Sequence, residues 1–532
     1  MKFFPPILTA LLLTVITACS SPREYQADVI VVGAGIAGLA AAIEARDQGA
    51  KVIVIDANSV GGGHAVQAGG LALVDTGLQR DKGIEDSTEL AVADMLAFGE
   101  TADRAWVKRY AEQSGPEVYD WLTDMGVEFK MVLPTPETSV PRFHFTRGTA
   151  VHVVIPMMRE AMKDESIQFF WSTAARSIIT NEATGAVTGV GVTNLRNGGR
   201  YELYAPTVIL ATGGYQSNPQ MVNDNWSHSP VDTTLTGSGA FADGSGYQLA
   251  ALSGAGLQRM QEQVTFVNGI PDPRAPGRGL TIENRRAVWV NAKGERFVDE
   301  RLPAKQKERA VFNNAADGHW LIVDSKGIRK TIVRGAAWVN PDSIREEVLG
   351  NPDITTVAYT TDELAEQLEL PALALARSLA GQTEAPYYAL QLYPLTRKSL
   401  GGPAIDESAR VVTAEGQEVP GLYAAGELTG VAGINGSYGG SGTFLGPAVL
   451  LGRIAGRAAA KAPRPAIPEQ LSTAAIEAAA ESPDGYWHYK TAHDLIHERE
   501  LTCETCHNVT PMAEISANAD MRVRLNTCTQ CH

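Results

Sequence analysis

Two segments near the end of the chain carry the residues best suited to redox chemistry. Cys503-Glu504-Thr505-Cys506-His507 and Cys528-Thr529-Gln530-Cys531-His532 each read C-x-x-C-H. Two thiols at that spacing can form thioethers to the vinyl groups of one haem, and the histidine that follows can ligate its iron. A zinc ribbon is the competing use, because 21 residues (507 to 527) separate the pairs and zinc ribbons lie near that spacing. The histidine after each pair, and further histidines close by, favour two covalent c-type haems. Six-coordinate iron would need two more ligands besides His507 and His532. His488, His493 and His497 are the candidates, with His493 and His497 one helical turn apart; Met512 and Met521 are alternatives.

A second set of residues could cradle a dinucleotide. Gly33-Ala34-Gly35-Ile36-Ala37-Gly38 follows an apolar run and opens a helical one. In that setting Gly33 permits a tight turn, Gly35 lets backbone approach a pyrophosphate, and Gly38 lets helix pack on strand. The helix N-terminus then faces the phosphates. Asp56 ends the next apolar run, where a carboxylate can hold ribose hydroxyls. This motif serves NAD and FAD alike, and three later stretches favour FAD. Gly61-Gly62-Gly63-His64 leads to Gly69-Gly70, Ala211-Thr212-Gly213-Gly214 ends a strand, and Gly421 to Gly426 ends another in Glu427.

With these stretches, residues 27–461 resemble the fumarate reductase/succinate dehydrogenase flavoprotein superfamily, and most of all the soluble flavocytochrome c fumarate reductases. The resemblance implies an FAD domain interrupted by a capping domain, with substrate held between the cap and the isoalloxazine ring. It implies that Glu427 binds the ribityl region and that Ser441-Gly442-Thr443 lies against the ring. His64 falls one residue away from the histidine that succinate dehydrogenases link to flavin, so noncovalent FAD is expected. The run from His488 to His493, then His497 and C-x-x-C-H, resembles half of the flavocytochromes' tetrahaem domain, moved here to the other end of the chain.

At the substrate site the likeness breaks. Aligned on residues 291–300 (NAKGERFVDE), Ala304 stands where the fumarate reductases place their proton-donating arginine. Gln263, Gly279, Leu280, Glu283 and Lys398 replace His, Thr, Glu, Arg and His, and Ser437 replaces an arginine that grips a carboxylate. Bidentate carboxylate binding demands a guanidinium, which serine cannot supply. Tyr438-Gly439-Gly440-Ser441-Gly442 instead resembles the Tyr-x-Gly-x-Gly loop of the ketosteroid dehydrogenases. There the Tyr hydroxyl and a Gly N–H polarise a ketone, which implies an oxyanion-type site at Tyr438 and Gly442. Arg301 and Lys305 flank the empty position and are candidate acids. Lys398 is a candidate ligand for an anionic or carbonyl group.

The elements that must position these residues follow an α/β pattern. Ala27 to Val32 and Lys51 to Asp56 read as buried strands, Ile36 to Gln48 as the helix between them, and Thr207 to Ala211 as a later strand. The expected fold is a Rossmann-like FAD-binding domain in two parts (27–257 and 399–462) with an inserted α+β capping domain (258–398). A linker with one short helix (463–483) and a small, mainly α or irregular dihaem module (484–532) would follow. Ahead of the body, residues 1–18 read as a signal peptide and 19–26 as a leader. Ile16-Thr17-Ala18-Cys19 resembles a bacterial lipobox with Cys19 as the lipid site. The net charge of −15 argues against nucleic-acid binding.

Together these readings point to an exported FAD enzyme acting on an activated C=C or CH–CH bond. An ene-reductase is expected, with electrons supplied by a membrane quinol dehydrogenase or a periplasmic cytochrome through the haems. A dehydrogenase running the other way, or an electron carrier without substrate chemistry, is the alternative.

Overall fold

The computed structural model describes residues 24–476 apart from 148, 227–233, 240 and 337. The signal segment, Cys19, both C-x-x-C-H pairs, and His488, His493 and His497 lie outside the described residues.

Val29–Val32 is the centre of a six-stranded sheet. Its strands run in the order Arg410–Val412, Glu418–Ala424, Thr207–Leu210, Val29–Val32, Val52–Ile55 and Ile167–Phe170. All neighbours are parallel except the Arg410–Val412 edge. Val29 to Val32 are all buried, as parallel strands covered on both faces require. The helix expected from Ile36 spans Ile36–Asp47. It lies against Leu445–Ala460, a helix some four hundred residues later in the chain. Glu44 joins the two, accepting from Arg453 Nε at 2.8 Å and Arg457 Nε at 3.0 Å. The FAD-type sheet is therefore completed by strand Glu418–Ala424 and helix Leu445–Ala460, both far downstream of Gly33.

A second sheet of eight strands is drawn mainly from the interrupting segment. Tyr387–Ser399 is its longest strand, flanked by His319–Asp324 and Gln263–Pro271. It has its own apolar core around Val267, Trp289, Leu321 and Leu390. The helix Ala304–Asn314 packs on Gln263–Pro271 and faces the first unit. Leu471–Ala475, within the stretch read as a linker, is a strand that adds to Thr173–Asn181. That strand buries little of its own surface, so alternation gave no sign of it; backbone pairing at an open edge holds it there.

Candidate functional site

The dinucleotide cradle forms where the first strand ends. Gly33 turns with φ of +107°, and a Cβ on Gly38 would lie 1.8 Å from the Gly33 carbonyl oxygen. No side chain caps helix Ile36–Asp47, so its first-turn N–H groups remain for an anion. A Cβ on Gly35 or Gly213 would meet nothing within 4 Å, which leaves open space beside that helix end. Gly62 bridges to Gly35, and Gly63 lies against the Gly35 Cα, so the first two glycine stretches meet. The Asp56 carboxylate accepts from the N–H of Ala34 (2.6 Å) and of Asn58 (2.7 Å). Burial pushes its pKa up to about 6, against those two hydrogen bonds. Donor, space and carboxylate together fit FAD.

Gly69 and Gly70 are placed differently from each other. Gly70 begins a short strand against Phe143–Phe145, and Gly69 packs on the Phe143 ring.

The third and fourth glycine stretches converge on Glu427. A Cβ on Gly214 would lie 2.4 Å from Glu427 Oε1, so only glycine brings the Ala211-Thr212-Gly213-Gly214 strand end this close. Glu427 Oε1 accepts from the Ser399 N–H at 3.1 Å, and Oε2 pairs with Lys398 Nζ at 3.3 Å. Lys398 Nζ also donates to His64 Nδ1 at 3.0 Å. Burial, then the charges of Lys398, Arg397 and Arg278, hold His64 well below the ordinary imidazole range; His64 is therefore neutral and accepts at Nδ1.

Arg278 and Arg397 escaped the sequence reading. Arg397 Nη1 donates to the Gly237 carbonyl at 2.8 Å and Arg278 Nη2 to that of Ser238 at 2.7 Å. They pin the Gly237–Ser238 stretch beside His64, since a Cβ on Gly239 would lie 3.4 Å from His64 Cβ. Arg397 is the neighbour of Lys398, so the run Arg397-Lys398-Ser399 carried a usable signal. Arg278 precedes Gly279, a substrate-site position by the resemblance, and that adjacency was its only signal.

Tyr438 through Thr443 leads into Phe444, whose ring lies 5.6 Å from Lys398 Nζ. Tyr438 is 7% exposed, its ring meets Phe98 edge-on at 3.9 Å, and among the described residues its hydroxyl has no hydrogen-bond partner. Burial raises the phenol's pKa; the Gln306 backbone N–H and Arg309 act against that rise, while Glu100 and Glu137 add to it. Gly442 (φ +77°) accepts at its carbonyl from the Ala72 N–H at 2.9 Å. Ser441 Oγ donates to Glu137 Oε1 at 3.1 Å, and the other Glu137 oxygen is buried without a partner among the described residues. Thr443 Oγ1 turns back to the Gly440 carbonyl at 2.7 Å. Ser437 Oγ donates to Glu100 Oε2 at 3.0 Å.

Each of the two candidate acids is tied to a carboxylate of its own segment, although the Lys305 charge still acts on Glu100. Arg301 is 81% exposed and pairs with Asp299 at 2.8 Å, a carboxylate two residues back that satisfies it locally. Ala304 opens a helix instead of continuing a loop, and this turns Lys305 onto Glu308 one turn later at 3.2 Å. Arg309, on the same helix, is the residue that reaches across to Glu100.

A model of the FAD binding domain family matches residues 28–445. A fumarate reductase (cytochrome) of Shewanella frigidimarina is 32% identical over 471 residues, covering 84% of this chain and 79% of that protein. A KsdD-like steroid dehydrogenase of Mycobacterium tuberculosis is 29% identical over 553 residues, covering 84% and 97%. Among solved structures, the 3-ketosteroid-Δ4-(5α)-dehydrogenase of Rhodococcus jostii in complex with 4-androstene-3,17-dione superposes with a TM-score of 0.64. It is 26% identical and covers 84% of this chain and 99% of its own.

Proposed function

Since the chain belongs to the FAD-binding flavoprotein family of the fumarate reductases and ketosteroid dehydrogenases, and is an FAD-dependent oxidoreductase of CH–CH groups, we propose that its substrate is a carbonyl- or carboxyl-conjugated alkene. The reaction is reduction of that C=C bond outside the cytoplasm. The observation that carries this reading is the buried hydroxyl of Tyr438, unpartnered among the described residues. A buried hydroxyl without a partner costs about 1–3 kcal/mol, and a substrate oxygen is the acceptor that would recover it.

In this reading the Tyr438 O–H and the Gly442 N–H donate to the substrate oxygen and stabilise the charge that develops there. Lys398, set between His64 and Glu427, orients an anionic or carbonyl group. Ser437, engaged with Glu100, offers no cation for a second carboxylate, which argues against the usual dicarboxylate clamp. Bound noncovalently along Gly33–Gly38, Asp56 and Glu427, FAD would supply hydride exchange with the substrate carbon.

The electron supply is assigned to two c-type haems on Cys503/Cys506 and Cys528/Cys531, with His507 and His532 on iron and the remaining ligands among His488, His493 and His497. The named cytochrome relative of Shewanella supports this route. A membrane quinol dehydrogenase or periplasmic cytochrome would feed them, with Cys19 as the lipid anchor. The steroid dehydrogenase likeness favours a second reading, in which substrate oxidation sends electrons outward through the same centres.

An anaerobic screen separates the readings. Dithionite-reduced protein should be reoxidised by one enone or enoate class faster than by buffer. Bleaching of the oxidised flavin by a saturated ketone, followed by haem reduction, would reverse the direction. No response to either class would leave an electron carrier and sink the substrate assignment.

A further inference from the structure

Strands Met131–Leu133 and Phe143–Phe145 pair antiparallel, and the loop between them, residues 134–142, is tied to helix Thr88–Gly99. Asp94 on that helix holds it: Asp94 Oδ2 accepts from the Ser139 N–H at 2.9 Å, from Ser139 Oγ at 2.7 Å and from Arg142 Nη1. Arg142, fully buried, also pairs with Asp86 at 2.7 Å. The end of the same helix is fixed to the Tyr438 loop, since the Gly99 carbonyl accepts from the Ser437 N–H at 3.0 Å. Asn435 Nδ2 closes that loop on the Thr443 carbonyl at 2.9 Å. A small cleft remains between the three segments. Met95, Phe98 and Ile434 are its apolar walls, and Glu137 and Ser441 are among its polar ones. Phe98 is also the ring that meets Tyr438 edge-on at 3.9 Å, so the cleft and Tyr438 share a side chain.

Glu137 is the group there whose bonding is incomplete. Its Oε1 accepts from Ser441 Oγ at 3.1 Å. Its Oε2 is buried and, among the described residues, has no partner. A carboxylate oxygen shut away from water without a donor is costly, and folded proteins rarely leave one so. The other charges at the cleft are spent on each other: Asp86 and Asp94 share the single guanidinium of Arg142, which leaves carboxylate in excess. We propose that this cleft is a specificity subsite, in which Glu137 Oε2 accepts a hydrogen bond from a hydroxyl on the end of the substrate remote from its conjugated oxygen. The apolar walls take the carbon body between the two ends. The excess negative charge rejects a second carboxylate, because like charges in a dry site repel. The inference rests on Tyr438 meeting the conjugated oxygen, and it adds the class of substrate: a conjugated alkene with an apolar body and a distal hydroxyl.

The test titrates cinnamate, 4-hydroxycinnamate and 4-carboxycinnamate into oxidised, FAD-loaded full-length protein by calorimetry. Oxidised flavin has no hydride to deliver, so Kd is read without turnover. 4-Hydroxycinnamate should bind ~10-fold tighter than cinnamate, and 4-carboxycinnamate ~10-fold more weakly. Glu137→Leu should abolish the hydroxyl preference. Glu137→Gln, which keeps an acceptor, should retain it while admitting 4-carboxycinnamate. The same preference in wild type and Glu137→Leu overturns the proposal, as does a wild type that binds none of the three. Loss of FAD from Glu137→Leu with the preference unchanged also overturns it and assigns the carboxylate to the cofactor. Should Glu137→Leu not fold, a Kd for 4-carboxycinnamate unmoved in Glu137→Gln overturns it equally. A Glu137-dependent preference in a protein whose reduced form no enoate reoxidises would keep the subsite and sink the reductase reading. Turnover of enoates with a preference independent of Glu137 would do the reverse.

Discussion

Arg309 and Glu100 form a two-bond ion pair between the inserted unit and the FAD-type unit, at 2.9 and 2.6 Å, one residue pair away from Tyr438 through Ser437. Both side chains are partly solvated, 48% and 38% exposed, so the pair contributes under about 1 kcal/mol to folding. Its effect is geometric. Glu100 also carries a positive φ of +57°, a strained backbone that the pair helps to hold.

Arg309→Met should therefore lower kcat several-fold with a shift in Tm of only a degree or two. Steady-state kinetics beside a thermal melt would check it. A large loss of Tm with unchanged kcat would show the pair to be a folding contact only.

FAD retention should depend on pH through Asp56. Its carboxyl in the cofactor-free protein is raised to about 6 by burial. Ribose hydroxyls of a bound FAD would donate to the ionised form, so binding would lower that pKa and ionisation would favour binding. Affinity should fall up to ~10-fold for each pH unit below about 6 and level off above it. In the cofactor-free protein the sign is opposite: the ionised form is penalised, so stability falls as pH rises from the unfolded carboxylate's range toward about 6. Flavin fluorescence titrations between pH 5 and 8 read the first effect, and Asp56→Asn should flatten it.

Much of the first unit was legible because its physics is local. Val29 to Val32 is apolar throughout and is buried throughout, and Gly33 and Gly38 stand where no Cβ fits. His64 and Lys398 were each visible, but their 3.0 Å contact spans 334 positions and no spacing rule reaches that far. Arg301 looked as promising as any acid, yet Asp299 two residues away neutralises it. Arg309 carried no sequence signal; the helix starting at Ala304 makes it reach Glu100.

Glu44 ties helix Ile36–Asp47 to helix Leu445–Ala460. Glu44 is 4% exposed and accepts from both Arg453 and Arg457. Glu44→Ala removes one of the two carboxylates that Arg453 and Arg457 share, Glu117 being the other, and should cost about 1–2 kcal/mol, read as a lower urea midpoint with an unchanged slope.

The haem assignment makes a separate demand. His507→Ala or His532→Ala should abolish turnover with a cytochrome-specific donor and leave turnover with a direct flavin reductant intact. Loss of both activities would place these histidines in folding instead.

The most direct measurement of the central claim is single-turnover reoxidation of reduced Tyr438→Phe by the enone or enoate that the wild-type protein accepts. Our account expects FAD content to match wild type and the rate to fall ~10²-fold. An unchanged rate would contradict it, because the buried hydroxyl would then have no part in the chemistry.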